Sequence, residues 1–467
     1  MLFNSFEFAI FFAIVMGAVL SVPRPIEGRV LIAASLAFYA LWIPSLLPLL
    51  VGLLGANYVL LRLMTSSPNP RRYLVASVGL TLAVLGVFKY GAFAVDLSSR
   101  LIPSIRGHQS ALASLGLPLG ISFYTFEIIS LGVDVHEQRL ECPTFGRYVL
   151  FVTFFPHLIA GPIMRGKELL PQLAAGGERN LARTRRGIWL FAAGLVKKAC
   201  LSDYLLLPFV NDAFRIPEGH NGPVHLLAMY SFAFQIYFDF SGYADMARGL
   251  GCVLGFELPL NFEEPYLSRN PSEFWRRWHI TLSRWLRDYL YLPLGGNRRG
   301  TARTQLNLMI TMLLGGLWHG AGVHFIVWGG LHGLLLVAYR FGTKNRREDS
   351  KPLGWADVPR IVVFFHLICL IWIPFRAANL ADTWAFWRGL GSGGYLHGWP
   401  IFPLAVVCSC AALHGLERYV RVRLPEIHEK IARAWWGPPV EGAFLGTVLV
   451  VAILASGASA QFIYFQF

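Results

Sequence analysis

The sequence predicts an all-α polytopic integral membrane protein, and three observations carry that prediction. Hydrophobic residues make up 55% of the 467 and charged residues only 15%, where about 25% charged is usual in a soluble domain. Mean hydropathy is +0.50. Apolar runs suited to crossing ~30 Å of hydrocarbon recur near 6–22, 30–44, 47–64, 73–95, 115–135, 187–210, 223–256, 305–319, 323–340, 358–376, 399–417 and 441–465. Several are short or broken, so about 11 transmembrane helices are expected, with re-entrant and interfacial pieces besides. The whole chain, 1–467, reads as one membrane domain: N-terminal helices over 1–95, a core over about 115–340, and C-terminal helices over 358–467.

The first run, Phe8 to Val22, has no Lys or Arg before it and reads as a membrane helix, not a cleaved leader. The net charge of +14 would suggest nucleic acid in a soluble domain. Here the arginines fall in short loops between apolar runs, and the cytoplasmic excess of basic residues accounts for them without nucleic acid. If the N-terminus lies outside and 145–163 does not cross, the basic clusters all fall on one side, and both termini are extracytoplasmic. The stretch FVTFFPHLIAGPI holds Pro156, Gly161 and Pro162, which break a helix and suit a re-entrant segment buried in protein. Six cysteines show no paired spacing, and five lie in apolar runs as small core residues.

Polar residues recur at membrane depth. Glu127 and Asp134 lie seven apart on one helical face, and Asp239, Ser241 and Asp245 share a second run. They either pair structurally or line a substrate path, and Lys197 or Lys198 is a candidate partner.

The stretch from Asn270 to Gly333 concentrates arginines, tryptophans and glycine-flanked histidines. Asn270 as N-cap, Pro271 at the first position and Glu273 three after the cap mark a helix start. Continued to 291, that helix places Phe274, Trp278, Trp285 and Tyr289 within roughly 60°, and Arg276, Arg277, Arg284 and Arg287 on the far side over roughly 100°. It therefore reads as an interfacial helix, with rings in the acyl boundary, guanidiniums in the headgroups and His279 on its flank. Farther on, His319 stands between Trp318 and Gly320 in an apolar run, and an imidazole at membrane depth is a functional residue by default. His324 and His332 read as packing residues. On a continuous helix His319 and His324 are roughly 140° apart, and no carboxylate or thiolate joins them, so no metal site is expected. Neither a G-x-S-x-G elbow nor a P-loop occurs. A histidine without a serine nucleophile suits direct transfer, in which imidazole takes a proton from a hydroxyl as that oxygen attacks an activated acyl thioester.

At ISFYTFEIISLGVDV, FFPHLIAGPIMR, FDFSGYADMARGLG, the run from LNFEEPYLSRNPSEFWRRWHITLSRW onward, and LLGGLWHGAGVHFIVWGGLHG, the sequence resembles the membrane-bound O-acyltransferase superfamily. The resemblance is to the bacterial branch that acts in alginate O-acetylation and in teichoic acid D-alanylation. It covers about 115–335, and Val323 and His324 depart from the family pattern. The resemblance implies a ring of helices around a central tunnel, His319 as the central catalytic histidine and His279 as the second. The candidate donor or substrate contacts, read from the residues themselves, are Trp275, Arg276, Arg277, Trp278, Arg284, Trp285, Trp318, Asp239 and Glu127. The expected activity is transfer of a short acyl group, acetyl before others, from a cytoplasmic thioester toward an extracytoplasmic polysaccharide. The donor would be acetyl-CoA or an acyl-phosphopantetheine carrier, with no tightly bound cofactor and no metal. Expected partners are membrane lipids, the polysaccharide acceptor and a periplasmic SGNH-type acetyltransferase, at the bacterial inner membrane. D-alanyl transfer from a carrier protein, and transport of a glycan or lipid-linked precursor, are the alternatives. The arginine cluster at 271–291 favours a thioester dock over a transporter.

Overall fold

The computed structural model describes residues 2–99, 116–342, 353–433 and 437–455, which form helices and loops with no strand among the described residues. The predicted runs 115–135 and 441–465 and the basic loop 341–357 extend outside the described residues, and the basic stretch 418–433, expected as a loop, instead continues the helix Ile401–Arg433. Five described helices are long and apolar enough to cross a membrane: Pro44–Ser66, Pro70–Ser99, Val323–Gly342, Trp355–Arg376 and Ile401–Val420. Ile121–His136 and Gly222–Leu254, which hold carboxylates at mid-helix, instead bury most of their residues in protein. The chain divides into two compact units, residues 1–191 with 246–259 and residues 192–245 with 260–467.

In the first unit, α1 (Phe6–Ser21) and α2 (Arg24–Ala40) close on an aromatic core. Phe3 meets Phe8 at 4.7 Å, and Phe38 meets Phe155 at 5.8 Å between ring centroids. α3 (Leu47–Ser66) and α4 (Pro70–Ser99, with a π-helical turn at Gly86–Tyr90) are joined by a buried amide: Asn57 Oδ1 accepts from Ser77 Oγ at 2.5 Å and Thr81 Oγ1 at 3.2 Å. The predicted broken segment is a helix, Phe145–Thr153, then a single turn, Phe155–Leu158, and every residue from Tyr148 to Gly166 is buried. Burial favours pairing of polar groups in and around this segment. Glu127, on α5 (Ile121–His136), lies 3.0 Å from His157 Nδ1 and accepts the Met164 N–H at 3.2 Å. Gln172 and Glu257 exchange side-chain and backbone hydrogen bonds at 3.1 and 2.7 Å.

In the second unit, a π-helical stretch, Val196–Leu206, carries the two lysines against α6 (Gly222–Leu254). Gly242 makes that approach possible, because a Cβ there would meet the Gly194 carbonyl and Lys197 Cβ. Asp239 and Asp245 lie three residues either side of Gly242 on the same face. Lys198 therefore pairs with Asp239 at 2.5 Å and with Asp203 at 2.9 Å, and Lys197 with Asp245 at 3.1 Å. Glycines set a second close crossing, between α7 (Thr301–His319) and α8 (Val323–Gly342). A Cβ at Gly316 would overlap the Phe325 carbonyl, and one at Gly329 would overlap that of Met312.

Candidate active site

The stretch that sequence periodicity reads as one interfacial helix is three pieces. It runs as a helix over Pro271–Arg277, a second over Ile280–Leu286 and a π-helical turn over Arg287–Tyr291. The cap reads as expected, with Asn270 Oδ1 accepting the Glu273 N–H at 2.8 Å. The break falls at Trp278 and His279, where His279 takes a left-handed φ of 42°. The aromatic face is also not in lipid: Phe274 and Trp278 are fully buried in protein, and Trp285 nearly so. Rings this large bury more apolar area against one another than the headgroup boundary offers. Arg276, Arg284 and Arg287 are exposed, with Arg287 paired to Asp288 at 2.6 Å. Arg277 turns inward to Glu273 at 2.7 Å, and Arg269 meets the same carboxylate at 3.0 Å. Burial alone would raise the Glu273 carboxyl, but the two guanidiniums and the Arg269 N–H outweigh it and hold its pKa below the ordinary value.

A left-handed backbone costs a non-glycine residue about 1–2 kcal/mol. Asn261, in the loop after α6, offsets that cost. The Ile280 N–H donates to the Asn261 carbonyl at 2.9 Å, and Asn261 Oδ1 accepts from Thr281 N–H at 3.2 Å and Thr281 Oγ1 at 2.9 Å. His279 Nδ1 lies 3.1 Å from the same oxygen. An oxygen already accepting from an N–H is an acceptor, so Nδ1 carries the imidazole proton and Nε2 holds the lone pair. Burial pushes the His279 pKa down to about 3, so this imidazole is neutral at physiological pH.

His319 is the last residue of α7 and is 3% exposed. Its ring is boxed edge-on by Trp318 at 4.9 Å, Trp328 at 4.9 Å and Phe375 at 5.2 Å. Gly320 permits this, because a Cβ there would strike the Phe325 ring. Trp318 also lies 6.1 Å from His279, so one indole borders both imidazoles. Phe240 covers His279 from the other side at 4.6 Å. Trp275 reaches the same wall through Trp328 at 6.0 Å. The structure thus gathers Trp275, Trp278, His279, Trp318 and His319 into one aromatic enclosure, which can hold a neutral base in a dry environment. Trp285 packs instead on Tyr289 at 5.4 Å. Asp239 is paired to Lys198, and Glu127, in the first unit, to His157. Sequence reading did not single out Asn261, Trp328 or Phe375. Trp328 alone offered a signal, as an aromatic beside the Gly329–Gly330 pair.

A sequence model of the membrane-bound O-acyltransferase family matches residues 108–390, which contain both histidines and all of this enclosure. The chain belongs to that family. It is 41% identical over 376 residues to the probable alginate O-acetylase AlgI of Pseudomonas aeruginosa, covering 79% of this chain and 70% of the relative. It is 36% identical to the corresponding Pseudomonas putida protein over the full length of both. To a peptidoglycan O-acetyltransferase of Helicobacter pylori it is 38% identical over 400 residues, 77% of this chain and 73% of the relative. The protein is therefore a multi-pass membrane O-acyltransferase, all-α as its composition predicts.

Proposed function

We propose that this acyltransferase moves an acetyl group from a cytoplasmic thioester, acetyl-CoA or an acetylated phosphopantetheine carrier, toward hydroxyls of an extracytoplasmic polysaccharide at the bacterial inner membrane. The observation that carries the chemistry is the pair of buried imidazoles bordered by a single indole, Trp318. In the reaction the acceptor O–H gives its proton to His319 as its oxygen bonds to the acyl carbon, the C–S bond breaks, and the thiolate leaves with that proton. His279, neutral with its lone pair on Nε2, orients the donor or assists the same transfer. Exposed Arg276, Arg284 and Arg287 receive the donor's phosphates. Among its relatives are a probable alginate O-acetylase and a peptidoglycan O-acetyltransferase, which supports acetyl over other acyl groups. A periplasmic SGNH-type acetyltransferase completes delivery to the polymer.

General-base help of this kind is worth roughly 10²–10⁴-fold in rate. His319→Ala therefore loses acyl transfer by that order while expression, thermal midpoint and donor binding stay near wild type. Transfer at the wild-type rate by a folded His319→Ala protein would sink this mechanism.

A further inference from the structure

The family match ends at residue 390, yet a helix beyond it holds two tyrosines that pack on Trp278, the neighbour of His279. On Ile401–Arg433, His414 and Glu417 lie one turn apart and face inward, their side chains 3% and 17% exposed. Glu417 sits at the centre of a polar knot: Lys197 Nζ meets its Oε1 at 2.6 Å, Tyr237 OH donates to its Oε2 at 2.5 Å, and His414 Nδ1 lies 3.1 Å from that oxygen. The Tyr266 backbone N–H donates to His414 Nε2 at 3.3 Å, which leaves Nδ1 as the protonated nitrogen and the donor to Glu417. Tyr266 OH donates in turn to the Ala233 carbonyl at 2.6 Å.

The two tyrosines held by this knot are the floor under Trp278. Tyr237 lies 6.4 Å and Tyr266 6.0 Å from the Trp278 ring, with Phe262 at 5.0 Å beside them. Trp278 is 1% exposed and is covalently joined to His279 at the left-handed residue. Asn261 holds His279 by its polar atoms, and the tyrosine floor holds it through Trp278. A strained residue keeps a single conformation only where its surroundings over-determine it.

We infer that Glu417 and His414 are positioning residues for His279: the carboxylate anchors Tyr237, and His414 anchors the Tyr266 backbone, so the Ile401–Arg433 helix fixes the orientation of the imidazole. Neither residue touches the reacting atoms. This rests on the assignment of His279 to the catalytic site.

The full-length protein is purified in detergent, and thiol release is followed from whichever acetyl thioester the wild type turns over, acetyl-CoA or an acetyl-phosphopantetheine carrier. Glu417→Gln keeps the shape and removes the charge, and Tyr237→Phe keeps the ring and removes the hydroxyl. Each is expected to lower kcat at least ~10-fold with the KM for donor within about 2-fold of wild type, and the double variant to be no worse than the more impaired single one, because the two act through one contact. A purely structural role would lower the thermal midpoint and leave kcat per folded molecule alone. Both variants keeping kcat within about 2-fold, or losses that multiply in the double variant, overturn the inference. If Glu417→Gln does not fold, Tyr237→Phe decides alone. His279→Ala separates the two levels: wild-type turnover there removes the assignment on which this rests, whereas a dead His279→Ala with unaffected Glu417→Gln and Tyr237→Phe removes the positioning alone.

Discussion

Asn261 is the residue on which the geometry of His279 turns. Its carbonyl and side-chain oxygens between them accept from Ile280, Thr281 and His279, so it caps the second short helix and sets the tautomer together. Asn261→Ala removes the side-chain acceptor. It is expected to cost about 1 kcal/mol of stability as a lost cap and about 10–10²-fold in turnover, as for other groups that orient a working histidine. Asn261→Asp, which keeps an acceptor at that place, should retain more of both; equal turnover in Asn261→Ala and wild type would show that the tautomer is set elsewhere. The burial of His279 also has a pH signature. Its folded pKa lies near 3 and its unfolded value near 6.5, so the unfolded chain takes up the proton first. Its contribution to stability is complete above about pH 6.5 and falls as pH drops toward 3, by at most about 1.4 kcal/mol per pH unit. Thermal midpoints from pH 7 to pH 5 should therefore fall less steeply in His279→Gln than in wild type. Parallel curves would refute a buried neutral imidazole.

At the scale of elements, two devices shape the site, and they differ in how visible they are in sequence. The glycines around His319 are legible as a thinned backbone, and their use is the crossing of α7 and α8. Gly316→Val should force the two helices apart, at a cost of about 1–3 kcal/mol or more from overpacking. Gly315→Ala should be nearly neutral, since the nearest atom, Leu286 Cδ1, stands at an ordinary 3.4 Å. Comparing thermal midpoints checks both, and equal tolerance at the two positions would contradict this packing. The start of the Pro271–Arg277 helix was also legible, because Asn270, Pro271 and Glu273 act through local backbone chemistry. The break at Trp278–His279 was not. It has neither Gly nor Pro to announce it, and the periodicity of 271–291 looks unbroken. The cause is an acceptor 18 residues upstream, Asn261, and no local pattern reports such a contact. For the same reason a face that reads as amphipathic and interfacial is buried: a helical projection tells that rings share a side, not whether lipid or protein meets them.

For the whole molecule, class and family were legible because hydropathy and a few dense motifs are properties of the chain alone. The partners of the intramembrane charges were not, since Lys197 pairs with residues 48 and 220 positions away. Orientation in the bilayer remains a matter of charge distribution. The basic stretches 65–72, 164–186, 341–357 and 418–436, of which 166–175, 181–186 and 418–433 are helical, are expected on the cytoplasmic side, with both termini outside. These stretches are not equal witnesses. Arg179 pairs with Glu27 at 2.5 Å, and Arg183 with Glu257 at 3.3 Å, so part of the charge in 164–186 serves the fold of the first unit. Arg71 and Arg72, by contrast, are exposed at the start of α4, beside the exposed Asn69. A basic pair with no acidic partner among the described residues has retention in the cytoplasm as its simplest account. Asn69→Cys, in a background whose six native cysteines are replaced, should react with a membrane-impermeant maleimide only after the cytoplasmic face is opened. Labelling of Asn69→Cys in intact cells would invert the topology, and would place the exposed arginines at 276, 284 and 287 on the wrong side of the membrane for a cytoplasmic thioester.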